Sequence, residues 1–366
     1  MGRDAVIVIG GGIIGCTAAA LLAEAGRDVT LVEATAIAAG ASGRNSGSIQ
    51  HPFDPTLLTL HRASLAMYRE LARTDDAFAP PPNPVGVLLL TDDLGEAEAR
   101  AVELRAEVPE LEPSVLAPDV LAKVEPSLSP RWAAVRLSTG YPVTPDGATL
   151  AMAARAARAG ATVRIGVAAR PWSTEGRVRG VVLEDGTTIS GRAVLVAGGP
   201  WTPEILDLDP SWPPITRTWG VTVQVAMANP PRHILEEGVV HTVNIPTGQD
   251  SSLFSLMPVG AIATVGSTFL IDPPDPEVEG RLLVARGAAF VPALANAPIL
   301  GIRMCARPQS ADGRPRIGPV PGVDGLFVCA GHGPWGISTG PGSAALIADL
   351  ILGRDDRVPA ELAAAR

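Results

Sequence analysis

Residues 5–33, AVIVIGGGIIGCTAAALLAEAGRDVTLVE, decide how this chain folds. A β-branched run, AVIVI, is followed by three spaced glycines, an Ala/Leu-rich helical stretch, and a second apolar run closed by an acid. Gly10, Gly12 and Gly15 form a GxGxxG pattern, and Glu33 lies 18 residues after Gly15. Alone, the glycine pattern is weak. Between a strand and a helix, with an acid ending the next strand, it predicts a site for an ADP-containing dinucleotide. Gly10 permits the tight turn, Gly12 offers no side chain to obstruct a pyrophosphate, and Gly15 lets helix and strand pack closely. The helix N-terminus then presents N–H groups and partial positive charge to the phosphates. Glu33 is placed to accept hydrogen bonds from a ribose hydroxyl. The alternative is a glycine-rich turn of another α/β fold.

Outward from this unit, 366 residues suffice for two domains or one large one, and a hydrophobic content of 46% marks a globular chain. A net charge of −9 without a basic cluster argues against nucleic acid. Cys16, Cys305 and Cys329 have no CxxC spacing, which suggests neither a disulfide framework nor a zinc site, so no metal is expected. His61, His233 and His241 show no metal-ligand spacing either. A reducing cytoplasm fits this cysteine usage. The N-terminal apolar run is broken by Gly10, Gly11 and Gly12, which argues against a signal peptide. The later run AALIADLIL is too short to cross a bilayer. Lys123 is the single lysine, in a polar segment expected at the surface, so a catalytic lysine is not expected.

Further along, residues 40–55 read as a structured but non-helical Gly/Ser-rich loop, and a helix is expected from about Pro55 to Arg73. A strand is predicted over 86–93, a charged helix over 95–107, and a turn, helix and strand over 140–166. Two strands joined at Asp185-Gly186 lead to a buried strand ending at Gly198-Gly199. Residues 215–300 read as antiparallel strands with one helix, PEVEGRLLVARGAAF. The last 50 residues return to strand GLFVCA, a glycine loop and a helix SAALIADLIL. This order predicts an α/β nucleotide domain assembled from 1–85, 141–214 and 301–366, with a β-rich substrate domain from 86–140 and 215–300.

GHGPWG, residues 331–336, repeats the GxGxxG pattern after a strand, but no second strand with an acid follows. One flavin dinucleotide bound at both ends accounts for both loops, its ring lying against the second. A turn without a ligand is the alternative.

The opening fingerprint, GASGRNSG (40–47), VLVAGGPWT (194–202), RPQSADGRPRIGPVP (307–321) and GLFVCAGHGPWGISTGP (325–341) resemble FAD-dependent oxidoreductases of the D-amino acid oxidase family. The glycine oxidase and monomeric sarcosine oxidase branches are the most similar. The resemblance fades over 86–140 and 202–300. It implies a Rossmann-like FAD-binding domain with an inserted antiparallel substrate domain, α+β overall. It places FAD on Ile13, Ile14, Ala34, Ser42, Gly43, Arg44, Asn45, Ser46 and Gly47, with Val167 near the adenine. It adds Ala197, Gly198 and Trp201, then Gly333, Pro334, Trp335, Gly336 and Ile337 around the flavin.

Arg307 occupies the position from which the glycine oxidase branch binds the substrate carboxylate, and a planar guanidinium suits that task. Arg303, four residues earlier, should face the same side. Compared with the sarcosine branch, Thr264 replaces a lysine, Thr268 a histidine, and His51 and Trp335 two basic carboxylate ligands. Cys305 falls where that branch carries a flavin-linking cysteine, whereas the glycine oxidase branch has glycine and noncovalent FAD. Noncovalent FAD is the expectation, with a link at Cys305 the alternative. His332 is expected to be structural.

The resemblance implies hydride transfer from the α-carbon of a small amine or amino acid to flavin N5. The imine formed then hydrolyses to a 2-oxo acid. Oxygen or another acceptor reoxidises the flavin. Alternatives are a 2-hydroxy acid dehydrogenase using His51 as base, a flavin subunit passing electrons to a partner, and a flavoprotein whose flavin is only structural.

Overall fold

The computed structural model describes residues 5–207, 215–238, 250–354 and 357–366. His241 lies outside them. The opening fingerprint builds the centre of a six-stranded sheet. Its order is Arg316–Pro319, Leu326–Ala330, Ala193–Val196, Val6–Ile9, Val29–Glu33 and Thr162–Ile165. All neighbours are parallel except the first pair. Every residue of the Val6–Ile9 strand is buried, which explains its unbroken apolar run. Val6 and Val8 face helices Ile13–Glu24, Gly147–Arg158 and Gly336–Leu352. Ile7 and Ile9 pack instead on a three-stranded antiparallel sheet of Ala169–Thr174, Arg177–Leu183 and Thr188–Ser190.

A second sheet of eight strands covers the first sheet's C-terminal edge. Its order is Ile299–Ser310, Ile215–Ala226, Ile262–Phe269, Ser251–Val259, Ile234–Glu237, Val87–Thr91, Ala133–Leu137 and Ser114–Leu116. Ile234–Glu237 and Val87–Thr91 run parallel and the other pairs run antiparallel. Alternation along these strands sorts their side chains. Val221, Val223 and Val265 pack beneath helix Pro276–Ala288, and Leu88, Leu90 and Leu235 continue the same buried cluster with Leu121, Leu128 and Trp132. Gly220, Thr222, Glu236, Ser255, Cys305 and Arg307 face the other way, toward the nucleotide sheet. The expected domain boundary at 300/301 falls inside the Ile299–Ser310 strand, which pairs with Ile215–Ala226 almost throughout.

Two element expectations change. The loop 40–55 contains a helical turn, Ala41–Arg44, because the Asn45 amide donates to the carbonyls of Ala41 (3.3 Å) and Ser42 (2.9 Å). The last helix begins at Gly336, not near Ser343, and continues through Pro341 to Leu352. Proline removes the N–H that would bond Ile337 O. Tyr68 Oη donates to that carbonyl instead (2.8 Å). Gly342 N donates to Ser64 Oγ (2.9 Å), and His61 Nδ1 meets Ser338 O (3.2 Å). Helix Leu58–Thr74 thus supplies the polar groups that let its neighbour start early. Lys123 is exposed, as expected. Among the described residues no helix is long and apolar enough to cross a membrane.

Candidate active site

A cavity of about 1020 Å³ runs between the C-terminal ends of the parallel strands and the inner face of the eight-stranded sheet. Such crevices are where open α/β sheets bind ligands. At one end lie Gly10, Gly12, Ile13, Ile14, Glu33 and Ala34. A Cβ on Gly15 would come within 1.9 Å of Gly10 O, so this glycine serves the close helix–strand contact. A Cβ on Gly12 would meet only Ser42 Oγ, at 3.0 Å, and otherwise point into open cavity. Glu33 Oε1 accepts from Thr35 N (2.8 Å) and Thr35 Oγ1 (3.1 Å), and Oε2 accepts from Gly11 N (2.6 Å), which leaves acceptor capacity on Oε2. Ile13 N donates to Ser42 Oγ (3.0 Å). Two of the N–H groups near the helix start therefore already have partners.

Ser42, Arg44, Asn45 and Ser46 form the next part of the wall. Arg44 Nη1 donates to Met304 O (3.1 Å), tying the helical turn to the eight-stranded sheet. Ala197, Gly198 and Trp201 line the opposite side, with the half-exposed indole of Trp201 against Gly40. Gly333, Pro334, Trp335, Gly336 and Ile337 close the far end, where Trp335 meets Phe53 edge-on. His332 also touches the cavity, but burial holds its pKa at about 3 and Nε2 pairs with Ser343 Oγ (2.9 Å). Gly15, Gly43, Gly47 and Val167 lie behind the lining, with Ala168, Ala169 and Arg170 exposed to the cavity beside Val167.

His51 is also off the cavity, which corrects the expectation that it meets substrate. Neighbours in an extended segment face opposite ways. Ser48 and Gln50 reach the cavity, while Ile49 and His51 are buried behind it. The His51 ring lies edge-on to His61 at 5.3 Å, with Nε2 3.6 Å from Glu110. Burial lowers the pKa of both histidines.

Arg307 stands on the cavity wall. Its guanidinium lies over Phe269 (4.4 Å to the centroid), with Nη1 donating to Thr268 O (2.8 Å) and Nη2 to Ser267 Oγ. A Cβ on Gly220 would sit 2.4 Å from Nη1, so only glycine there leaves room for the guanidinium. Among the described residues no carboxylate pairs with Arg307. Arg303 shares the face of Cys305 and Arg307 on the strand, as expected, but lies beyond the lining, with Nη2 3.4 Å from Thr264 Oγ1. Thr268 is likewise occupied, accepting from Val221 N (2.9 Å). Cys305 faces the cavity with its thiol 4.0 Å from Arg44 O. Burial raises its pKa, against the pull of Arg307, Arg44 and Arg303.

The sequence reading did not single out Glu236, Gln50, Ser267 or Phe269, all on the lining. Glu236 is buried and accepts from Gln50 Nε2 (2.9 Å), and burial raises its pKa to about 7. The pair Glu236-Glu237 gives no hint from pattern alone, since alternation sends one to each face. Glu237 pairs with Arg286 on the other side.

A model described as FAD dependent oxidoreductase (DAO) matches residues 5–350. The chain belongs to this family. A glycine oxidase of Pseudomonas aeruginosa is 30% identical over 372 residues, covering 96% of each chain. By structure, iminodiacetate oxidase from Chelativorans sp. BNC1 aligns with TM-score 0.83 at 22% identity, covering 98% of each chain. L-Proline dehydrogenase from P. horikoshii aligns with TM-score 0.83 at 21% identity, covering 100% of this chain and 97% of that one. The two solved structures share the fold. This FAD-dependent oxidoreductase fits its cofactor: a glycine turn bounds each end of one continuous cavity, and Gly12 leaves it open.

Proposed function

We propose that this FAD-dependent oxidoreductase oxidises a small amine or amino acid that carries a carboxylate. Glycine, N-alkyl glycines, D-amino acids and imino acids form the class, and the products are an imine and then a 2-oxo acid. FAD supplies the acceptor for a hydride from the α-carbon. The observation that carries this reading is Arg307, a cation on the cavity wall without an acidic partner among the described residues. Its fork holds a carboxylate through parallel hydrogen bonds, and Phe269 and the two β-strand oxygens fix its orientation. The full-length likeness to a glycine oxidase supports the same class. His51, the base that the 2-hydroxy acid reading relied on, lies off the cavity.

FAD is held noncovalently in this reading, since burial keeps the Cys305 thiol protonated rather than as the nucleophilic thiolate. Oxygen or another acceptor takes the electrons, and the cytoplasm is the compartment. The test is anaerobic bleaching of the bound flavin by glycine, sarcosine, iminodiacetate, D-alanine and D-proline. At least one should bleach it. A flavin that stays yellow with every amine overturns the proposal.

A further inference from the structure

Glu236 and Arg307 project from the same face of one sheet into the same cavity. The Arg307 guanidinium reaches Ser267, on the Ile262–Phe269 strand. The next strand carries Ser255, and the strand after that carries Glu236, directly opposite Ser255. Arg307 itself stands two strands beyond Ser267, on Ile299–Ser310, and its side chain spans that distance. Two strand spacings, about 10 Å, therefore separate the strand where its guanidinium ends from the strand that carries Glu236. An α-amino acid bridging a guanidinium and a carboxylate needs roughly 8–9 Å between them. That length comprises two hydrogen bonds of about 2.8 Å and the zwitterion itself.

The surroundings of Glu236 are neutral. Ser255 and Leu89 flank it on the sheet, and Gln50 is its hydrogen-bond partner. No cation pairs with it among the described residues. Ser48 Oγ donates to Gln50 Oε1 (3.0 Å), which fixes the amide so that Nε2 faces Glu236 Oε1. Gln50 N is held by Ser338 Oγ (3.0 Å). Among the described residues Glu236 Oε2 has no such donor and is left for a ligand. A buried carboxylate without a counter-ion is costly unless a cation arrives or it takes a proton.

We propose that Glu236 binds the substrate ammonium opposite Arg307 and takes a proton from it. This rests on the amine-oxidation reading above. An N–H bond of the ammonium breaks, an O–H bond forms on Glu236, and the electron pair stays on nitrogen. The neutral amine then has the lone pair that assists loss of hydride from the α-carbon. The carboxyl gives its proton to water when product leaves. Gln50 is the positioning residue. The class selected is the zwitterion, an amino acid or N-alkyl glycine, over a hydroxy acid of the same shape, whose hydroxyl can donate a hydrogen bond but brings no positive charge to offset a buried carboxylate.

The test uses wild-type, E236Q and E236D holoenzymes, mixed anaerobically with sarcosine, glycine or glycolate from about pH 5.5 to about pH 9. Titration with acetate, which has no amine, reads the Arg307 end alone through the flavin spectrum. In the wild type, amine-driven bleaching should slow as pH falls below about 7, because a protonated Glu236 cannot accept. E236Q should bleach at least about tenfold more slowly, and its rate should keep rising with pH as the substrate's own ammonium ionises instead of levelling off above about pH 7. E236D should keep the wild-type profile, and acetate should bind all three alike. Glycolate should leave the flavin yellow. An unchanged rate and pH profile in E236Q overturn the inference, as does acetate binding lost in E236Q or bleaching by glycolate faster than by glycine. Failure of every amine with the wild type while acetate still binds instead removes the amine-oxidation reading, and this inference with it.

Discussion

Arg307 shows what a single residue can and cannot reveal before folding. Its type and its place in RPQSADGRP suggested a carboxylate ligand, but not the Phe269 face beneath it or the Gly220 surface that gives it room. Arg307→Ala should raise KM for acidic amines far more than it lowers Tm. An arginine–carboxylate pair contributes on the order of 2–4 kcal/mol, so kcat/KM should fall roughly 30- to 1000-fold. Arg307→Lys should recover little, because a point charge cannot reproduce the fork. Unchanged steady-state kinetics in both variants would move the carboxylate site away from this strand. His51 illustrates the reverse case. Its position in the chain was near the cavity, but strand alternation turned the side chain into the core, a one-residue distinction that spacing could not settle. Cys305 faces the cavity, and burial raises the pKa of its thiol. Acid precipitation of the holoenzyme should leave the yellow colour in the supernatant, and a yellow pellet would establish the covalent link instead.

At the scale of elements, the strands and helices of the nucleotide domain were legible because local signals agreed there. The buried AVIVI and AVLV strands, the glycine turn and the Asp185-Gly186 hairpin each point one way. The last helix was misread because Pro341 and three nearby glycines signal a break, and the compensation comes from elsewhere in the chain. Tyr68, Ser64 and His61 lie on another helix more than 250 residues away. Sequence carries no local trace of that help. Tyr68→Phe should therefore cost about 1–3 kcal/mol, because the buried Ile337 carbonyl loses its donor. In a Pro341→Ala background an N–H becomes available at position 341, and the same substitution should cost measurably less. Chemical denaturation of the four proteins gives the coupling. Strict additivity would mean that Tyr68 does not serve the proline break.

For the whole molecule, the cofactor cavity is the seam between two sheets that come from interleaved stretches of chain. The seam was readable in outline from two glycine loops too far apart for one βαβ unit. The wall supplied by the eight-stranded sheet was not, because 215–300 shows only alternation, and alternation does not say which face meets the cavity. A ligand filling that seam binds only when both sheets are assembled, so FAD should stabilise the fold as a unit. Linkage gives about 2.7 kcal/mol at a free concentration 100 times Kd, enough to raise Tm by a few degrees in a chain of this size. Gly12→Val and Gly15→Val should separate binding from folding. At Gly12 a side chain projects into the cavity past Ser42, so that variant should fold, lose its yellow colour and show no Tm response to FAD. At Gly15 a side chain strikes Gly10 O, so that variant should be destabilised in the absence of any cofactor. Thermal melts of flavin-free wild type and both variants, with FAD and with NAD, decide the matter. NAD shares only the ADP half and should raise Tm far less than FAD. An equal response to both would mean that the second glycine loop contributes nothing to binding, and that the long cavity is used at one end alone.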